Sequence, residues 1–196
     1  FNATHGPMEA PGKYTSRFPS LSGGRRTFAG MLAALDDNVG LVLAKLRELN
    51  LSDNTLIVFL SDNGAPNHGE TKQSNRPLRG YKSELYEGGI RMPFIIQWKS
   101  RLQGGKVDDR PVMSIDLLPT FMAAAGAPAP EQARLDGVNL LPFLSSDNDA
   151  SPHDTLFWRF YGQRAVRMGD WKLVGRGKSA QLFNLAVDIG EKNSLA

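Results

Sequence analysis

The chain has 196 residues, enough for one medium domain or a domain with a small appendage. Its 41% apolar and 22% charged residues are those of an ordinary globular protein, and its net charge of +3 comes from scattered side chains, which argues against a nucleic-acid partner. Cysteine is absent, which excludes disulfides, thiolate metal sites and a thiol nucleophile in this sequence, and no unbroken apolar run approaches the ~20 residues of a membrane-spanning helix.

The chain opens with Phe1-Asn2-Ala3-Thr4-His5-Gly6-Pro7, which lacks the basic and apolar regions of a signal peptide. It reads as a strand leaving a sheet, so a preceding segment is expected. Residues 6–24 are rich in Gly, Pro and Ser and predict an extended loop. From Arg25 to Leu49 apolar residues recur at three- and four-residue steps (Phe28, Met31, Leu32, Leu35, Val39, Val42, Leu46), which predicts an amphipathic helix. Asn50 suits a left-handed stop.

Thr55-Leu56-Ile57-Val58-Phe59-Leu60 is a short, continuous apolar run and predicts a strand buried on both faces. Ser61-Asp62-Asn63-Gly64 follows at its C-terminal end, the edge where open α/β sheets place ligands. A second strand is predicted at 94–98 behind Pro93. Asp116 is placed to cap a helix that Gly126 ends. A short helix is expected around 138–144. Beyond residue 149 the pattern becomes antiparallel β, with a type II′ hairpin at Gly169-Asp170 and a further strand at 181–185. Trp98, Trp158 and Trp171 are expected in the core.

Three elements carry chemistry. Asp62 and Asn63 offer a carboxylate and an amide oxygen side by side, a donor pair suited to a hard cation such as Ca²⁺. Lys82, twenty positions later in a glycine-punctuated stretch, can return to the same edge and stabilise a developing anion. His5 can donate a hydrogen bond or a proton to a leaving oxygen. Each has a plainer alternative: an Asn-Gly turn, a surface lysine, a solvated loop histidine. Asp36 and Asp37 read as structural or solvated helix residues, His68 as a loop residue, and Glu87 with Arg91 as an ion pair.

The order and spacing of Thr4-His5-Gly6-Pro7, Leu56-Ile57-Val58-Phe59-Leu60-Ser61-Asp62-Asn63-Gly64, Leu78-Arg79-Gly80-Tyr81-Lys82, Tyr86-Glu87-Gly88-Gly89-Ile90-Arg91-Met92-Pro93 and Met168-Gly169-Asp170-Trp171-Lys172-Leu173 resemble the sulfatase family of the alkaline phosphatase superfamily. The resemblance covers essentially the whole chain. It implies a sulfuric ester hydrolase acting on a sulfate ester, with a sulfated carbohydrate as a plausible substrate. In it Asp62 and Asn63 ligate Ca²⁺, and Lys82 and His5 are catalytic and bind the sulfate.

The family's nucleophile is a formylglycine made within a Cys/Ser-x-Pro-x-Arg motif, which this sequence does not contain. The chain is therefore expected to be the C-terminal portion of a truncated sulfatase, inactive alone, with the formylglycine in a missing N-terminal segment. Its fold is expected to be α/β, a partial alkaline-phosphatase-like sandwich. Residues 1–148 would come from the catalytic domain, and 149–196 would open a small antiparallel β subdomain. The family also implies a periplasmic or secreted location. Phosphonate or phosphodiester hydrolysis on the same scaffold is the nearest alternative, although two-zinc phosphatases place His where this chain has Asn63. A relic that binds sulfated glycan without cleaving it is the alternative from another class.

Overall fold

The computed structural model describes residues 3–67, 69, 75–127, 129–130, 132–145 and 149–196. Phe1 and Asn2 of the opening motif, His68, and parts of the 65–77 loop and of the break after Ser145 lie outside the described residues. The chain divides into two units, Phe1–Asp53 with Pro66–Ser74, and Asn54–Ala65 with Asn75–Ala196.

The first unit is helical: α1 (Gly12–Thr15) precedes α2 (Gly23–Glu48). The predicted long helix is present, and Asn50 adopts φ 56° just beyond it. Tyr14 on α1 and Met31 on α2 are buried. Arg26 Nε donates to Thr15 O at 2.8 Å, tying the two helices. Asp37 is structural, as one of its two readings had it: Arg17 donates to both its oxygens at 3.1 and 2.7 Å. These bonds hold the Asp37 carboxyl below its ordinary pKa. Within this unit the apolar stripe is covered only in part, and Leu32, Val42 and Leu49 are exposed. By length and mean hydropathy α2 alone among the described residues could cross a membrane, which the search for an unbroken apolar run does not register. Asp36 and Asp37 interrupt it mid-helix, and Asp37 is held by Arg17.

The second unit holds two sheets. Strands β1 (Ile57–Leu60) and β2 (Phe94–Gln97) pair antiparallel, with Leu60 opposite Phe94. The strand expected to be buried on both faces is therefore corrected. A two-stranded ribbon has one neighbour per strand and alternates its side chains, so Phe59 and Ile95 face outward. Between the strands lies α3 (Glu87–Ile90), and after them α4 (Leu117–Ala124) and α5 (Leu141–Ser145). Gly126 ends α4 at φ 65° as expected. Asp116 does not cap α4; its carboxylate turns instead to the amides of Met113 and Val138.

Strands β3 (Thr155–Phe160), β4 (Gln163–Met168), β5 (Trp171–Arg176) and β6 (Ser179–Asn184) form an antiparallel meander in chain order. The β4–β5 turn has Gly169 at φ 56°, as its predicted hairpin requires. The inner face sets Ala165, Val174 and Phe183 against Leu85, Tyr86 and Ile90, so the core forms directly behind the segment that carries Lys82. On β5 the pleat inverts the expectation from residue type: Lys172 is buried and Trp171 is nearly half exposed. Trp98 is buried and Trp158 half-buried, as expected of core residues.

Candidate functional site

The end of β1 is a turn shaped by close backbone approach. Ser61 Oγ donates to Asn63 O at 3.0 Å, and the Asn63 amide donates to Asp62 Oδ2. Gly64 N donates to Gly89 O at 3.1 Å, and a Cβ on Gly64 would sit 1.9 Å from Gly88 O, so only glycine fits. Asn75 braces the next residue, its Oδ1 accepting from Ala65 N and its Nδ2 donating to Ala65 O, both at 2.9 Å. The Lys82 amide donates to the same Ala65 carbonyl at 3.2 Å. Twenty residues of sequence thus return Lys82 to the strand end that carries Asp62 and Asn63. Lys82 is half-buried, Asp62 is exposed, and Ser83 beside Lys82 adopts φ 76°, rare for a residue with a side chain.

Asp62, Asn63 and Lys82 therefore belong to one unit. His5 belongs to the other, exposed, with Nδ1 2.9 Å from Gly6 O. Asp62 also lines an open cleft of ≈ 1160 Å³ in the second unit, along with Arg91, Lys106, Arg110 and Arg167. Arg110 is braced by Asp108 at 2.6 Å, and that bond lowers the Asp108 carboxyl from its ordinary pKa.

The described residues do not complete a metal shell. Asp62 and Asn63 supply two donors, and the Asn63 amide is turned toward the carboxylate rather than beside it. Among the described residues no group of three or more His, Cys, Asp or Glu side chains is arranged to hold an ion, whereas calcium takes six to eight oxygens. The expectation of a Ca²⁺ site is corrected on that ground.

Two charged clusters escape a reading of the sequence. Lys172 Nζ donates to Glu87 Oε1 at 2.7 Å and lies 2.9 Å from Glu191 Oε1, with all three side chains buried. Burial, partly offset by Lys172, pushes the Glu191 carboxyl above its ordinary pKa. The expected Glu87–Arg91 pair exists at 3.6 Å, outside this buried contact. The second cluster joins His153 Nε2 to both oxygens of the buried Asp116 at 2.9 Å.

The strand-end turn thus carries a carboxamide–carboxylate pair, and the lysine segment returns to it. The sulfatase family description matches residues 1–127, and that of N-sulphoglucosamine sulphohydrolase, C-terminal, matches residues 81–193. The chain belongs to the sulfatase family. It is 36% identical over 160 residues to the uncharacterized sulfatase YdeN of Escherichia coli, covering 81% of this chain and 28% of that protein. Crystal structures of Ps i-CgsB, alone and in complex with k-i-k-neocarrahexaose, are 36% identical with TM-scores of 0.89 and 0.87, covering 100% and 98% of this chain and 44% of theirs. BT4656, solved in complex with its substrate D-glucosamine-2-N,6-O-disulfate, shares the fold at 24% identity and TM-score 0.70, covering 92% of this chain and 40% of its own. The chain thus spans less than half the length of these relatives.

The alkaline-phosphatase-like α/β fold with its small β subdomain is matched along 100% of this chain and 44% of Ps i-CgsB. The missing motif bears on the nucleophile, whereas the fold is set by strand pairing and packed glycines. The sulfatase match runs over residues 1–127, and the sequence holds no Cys/Ser-x-Pro-x-Arg motif.

Proposed function

We propose that the protein hydrolyses sulfate monoesters of carbohydrate, with Lys82 and His5 as its catalytic and sulfate-binding residues. The carrying observation is the hydrogen bond from the Lys82 amide to Ala65, which fixes the lysine segment beside the Asp62–Asn63 turn. The Lys82 ammonium would offset charge on the sulfate oxygens as the ester bond breaks. His5 would give a proton to the departing alcohol, and the sulfuryl group would pass to water and leave as inorganic sulfate. Asp62 and Asn63 are proposed as cation-facing oxygen donors at the strand end. Calcium and formylglycine carry no step here, since the described residues form no metal shell and the sequence has no Cys/Ser-x-Pro-x-Arg motif.

A carbohydrate substrate is supported by the neocarrahexaose complex of the 36% identical relative. Arg91, Lys106, Arg110 and Arg167 in the cleft beside Asp62 offer partners for an anionic sugar, among the acids Glu87, Asp108, Asp109 and Asp149 that also line it. We further propose that residues 1–148 serve the catalytic portion, that 149–196 open the β subdomain, and that the protein is exported to the periplasm or beyond. Cell fractionation that recovered it in the cytosol would overturn the last point.

The test of activity is inorganic sulfate release from sulfated oligosaccharides, set beside an aryl sulfate and a phosphodiester. Sulfate released from the saccharide is the expected result. Phosphodiester turnover without sulfate release would favour the phosphonate and phosphodiester hydrolases of the same scaffold. Binding of the saccharide without release would make the protein a sulfated-glycan binder.

A further inference from the structure

Lys172, Glu87 and Glu191 come from three separate stretches: strand β5, the first turn of α3 and the turn after β6. A buried ammonium between two carboxylates is costly to form and is held only while every partner is in place. Glu87 and Glu191 are further joined by a hydrogen bond from Glu87 N to Glu191 Oε2 at 2.6 Å.

The contacts around this group all lead to the segment that bears Lys82. Arg79 Nη1 donates to Glu191 O at 2.9 Å, and its guanidinium lies 4.0 Å from the Tyr86 ring centre. Tyr86 OH donates to Gln181 Oε1 at 2.5 Å. Gln163 Nε2 donates to Ser83 O at 2.8 Å, gripping the left-handed residue next to Lys82. Gly88 N donates to Arg79 O at 2.6 Å, closing the segment on itself.

We propose that Lys172 is a positioning residue for Lys82: seated between Glu87 and Glu191, it fixes the 79–90 segment on the four-stranded sheet and so sets the lysine against the Asp62–Asn63 turn. Apolar packing alone would let the segment slide, because contacts between Tyr86, Ile90 and the sheet are non-directional. The enclosed charges permit one register, since any displacement leaves a buried charge without its partner. The proposal rests on the sulfate-holding role of Lys82.

The test is amide hydrogen exchange on the protein and its Lys172→Met and Glu191→Gln variants, followed at Gly64, Lys82 and Gly88 and, as reference, at Ala165 and Val174 on paired strands. Local opening is expected to speed exchange at the first three by about tenfold or more, while the reference amides change little. Sulfate-ester turnover is expected to lose kcat in both variants. If Lys172→Met fails to fold, the near-isosteric Glu191→Gln carries the test. Unchanged exchange at the three amides in a folded variant would overturn the proposal. So would equal acceleration at the reference amides, which marks a general structural role. A wild-type protein without turnover would sink the sulfatase activity and leave the exchange result to decide the positioning.

Discussion

Gly64 and Gly88 approach so closely that a Cβ on Gly64 would lie 1.9 Å from the Gly88 carbonyl oxygen. The contact joins the turn after β1 to the start of α3, and with it the two halves of the candidate site. Gly64→Ala is expected to destabilise the protein by about 2–4 kcal/mol, because the atoms it meets are backbone and cannot swing aside. Gly104→Ala, where nothing lies within 4 Å, is expected to stay within about 0.5 kcal/mol of wild type. Urea midpoints of the two variants decide it, and equal midpoints would show that the turn relaxes freely.

Lys82 is half-buried, and its backbone, not its side chain, makes the bond that holds the turn. Lys82→Ala keeps that backbone bond. Its effect should fall on turnover, with a loss of about 10²–10³ in kcat, the size typical of removing one group that stabilises a developing oxyanion. Lys82→Arg should restore part of the rate by keeping the charge. A kcat unchanged in Lys82→Ala would remove this residue from the chemistry.

How much of this was legible depended on range. The Asp62–Gly64 turn, the Gly126 stop and the Gly169 hairpin are each written in two or three adjacent residues whose conformational needs are local. The Lys172–Glu87 and Glu87–Glu191 contacts span 85 and 104 positions, and no local pattern announces such a pairing. Strand β5 misleads for another reason. Trp171-Lys172-Leu173-Val174 has large apolar groups at both parities, so the hydrophobic pattern cannot choose a face, and the buried position falls to lysine.

Asp116 is fully buried and accepts from Met113 N at 2.8 Å, from Val138 N at 2.9 Å and from His153. Asp116→Ala strands both amides and the imidazole, and is expected to cost about 2–4 kcal/mol. His153→Ala should cost less, since the carboxylate keeps both backbone donors. Thermal unfolding of the two variants gives the comparison. Should His153→Ala prove the more damaging, the carboxylate would be serving the histidine rather than the backbone.

Asp188 and Glu191 sit in one turn and respond to pH in opposite senses. Asp188 accepts from Asn193 N at 2.8 Å and from Lys192 N at 2.9 Å, and these bonds hold its carboxyl below its ordinary value of 3.8. A pKa lowered on folding contributes stability that is present above 3.8 and lost as pH falls through the folded value. Glu191 is raised above its ordinary 4.5 by burial, so its contribution is full below 4.5 and fades as pH rises through the folded value. Unfolding midpoints of wild type, Asp188→Asn and Glu191→Gln between acid and neutral pH separate the two. Asp188→Asn should flatten the acid limb. The wild-type advantage over Glu191→Gln should shrink as pH climbs past 4.5. A difference that instead grew over that range would mean that Lys172 holds Glu191 ionised strongly enough to outweigh its burial.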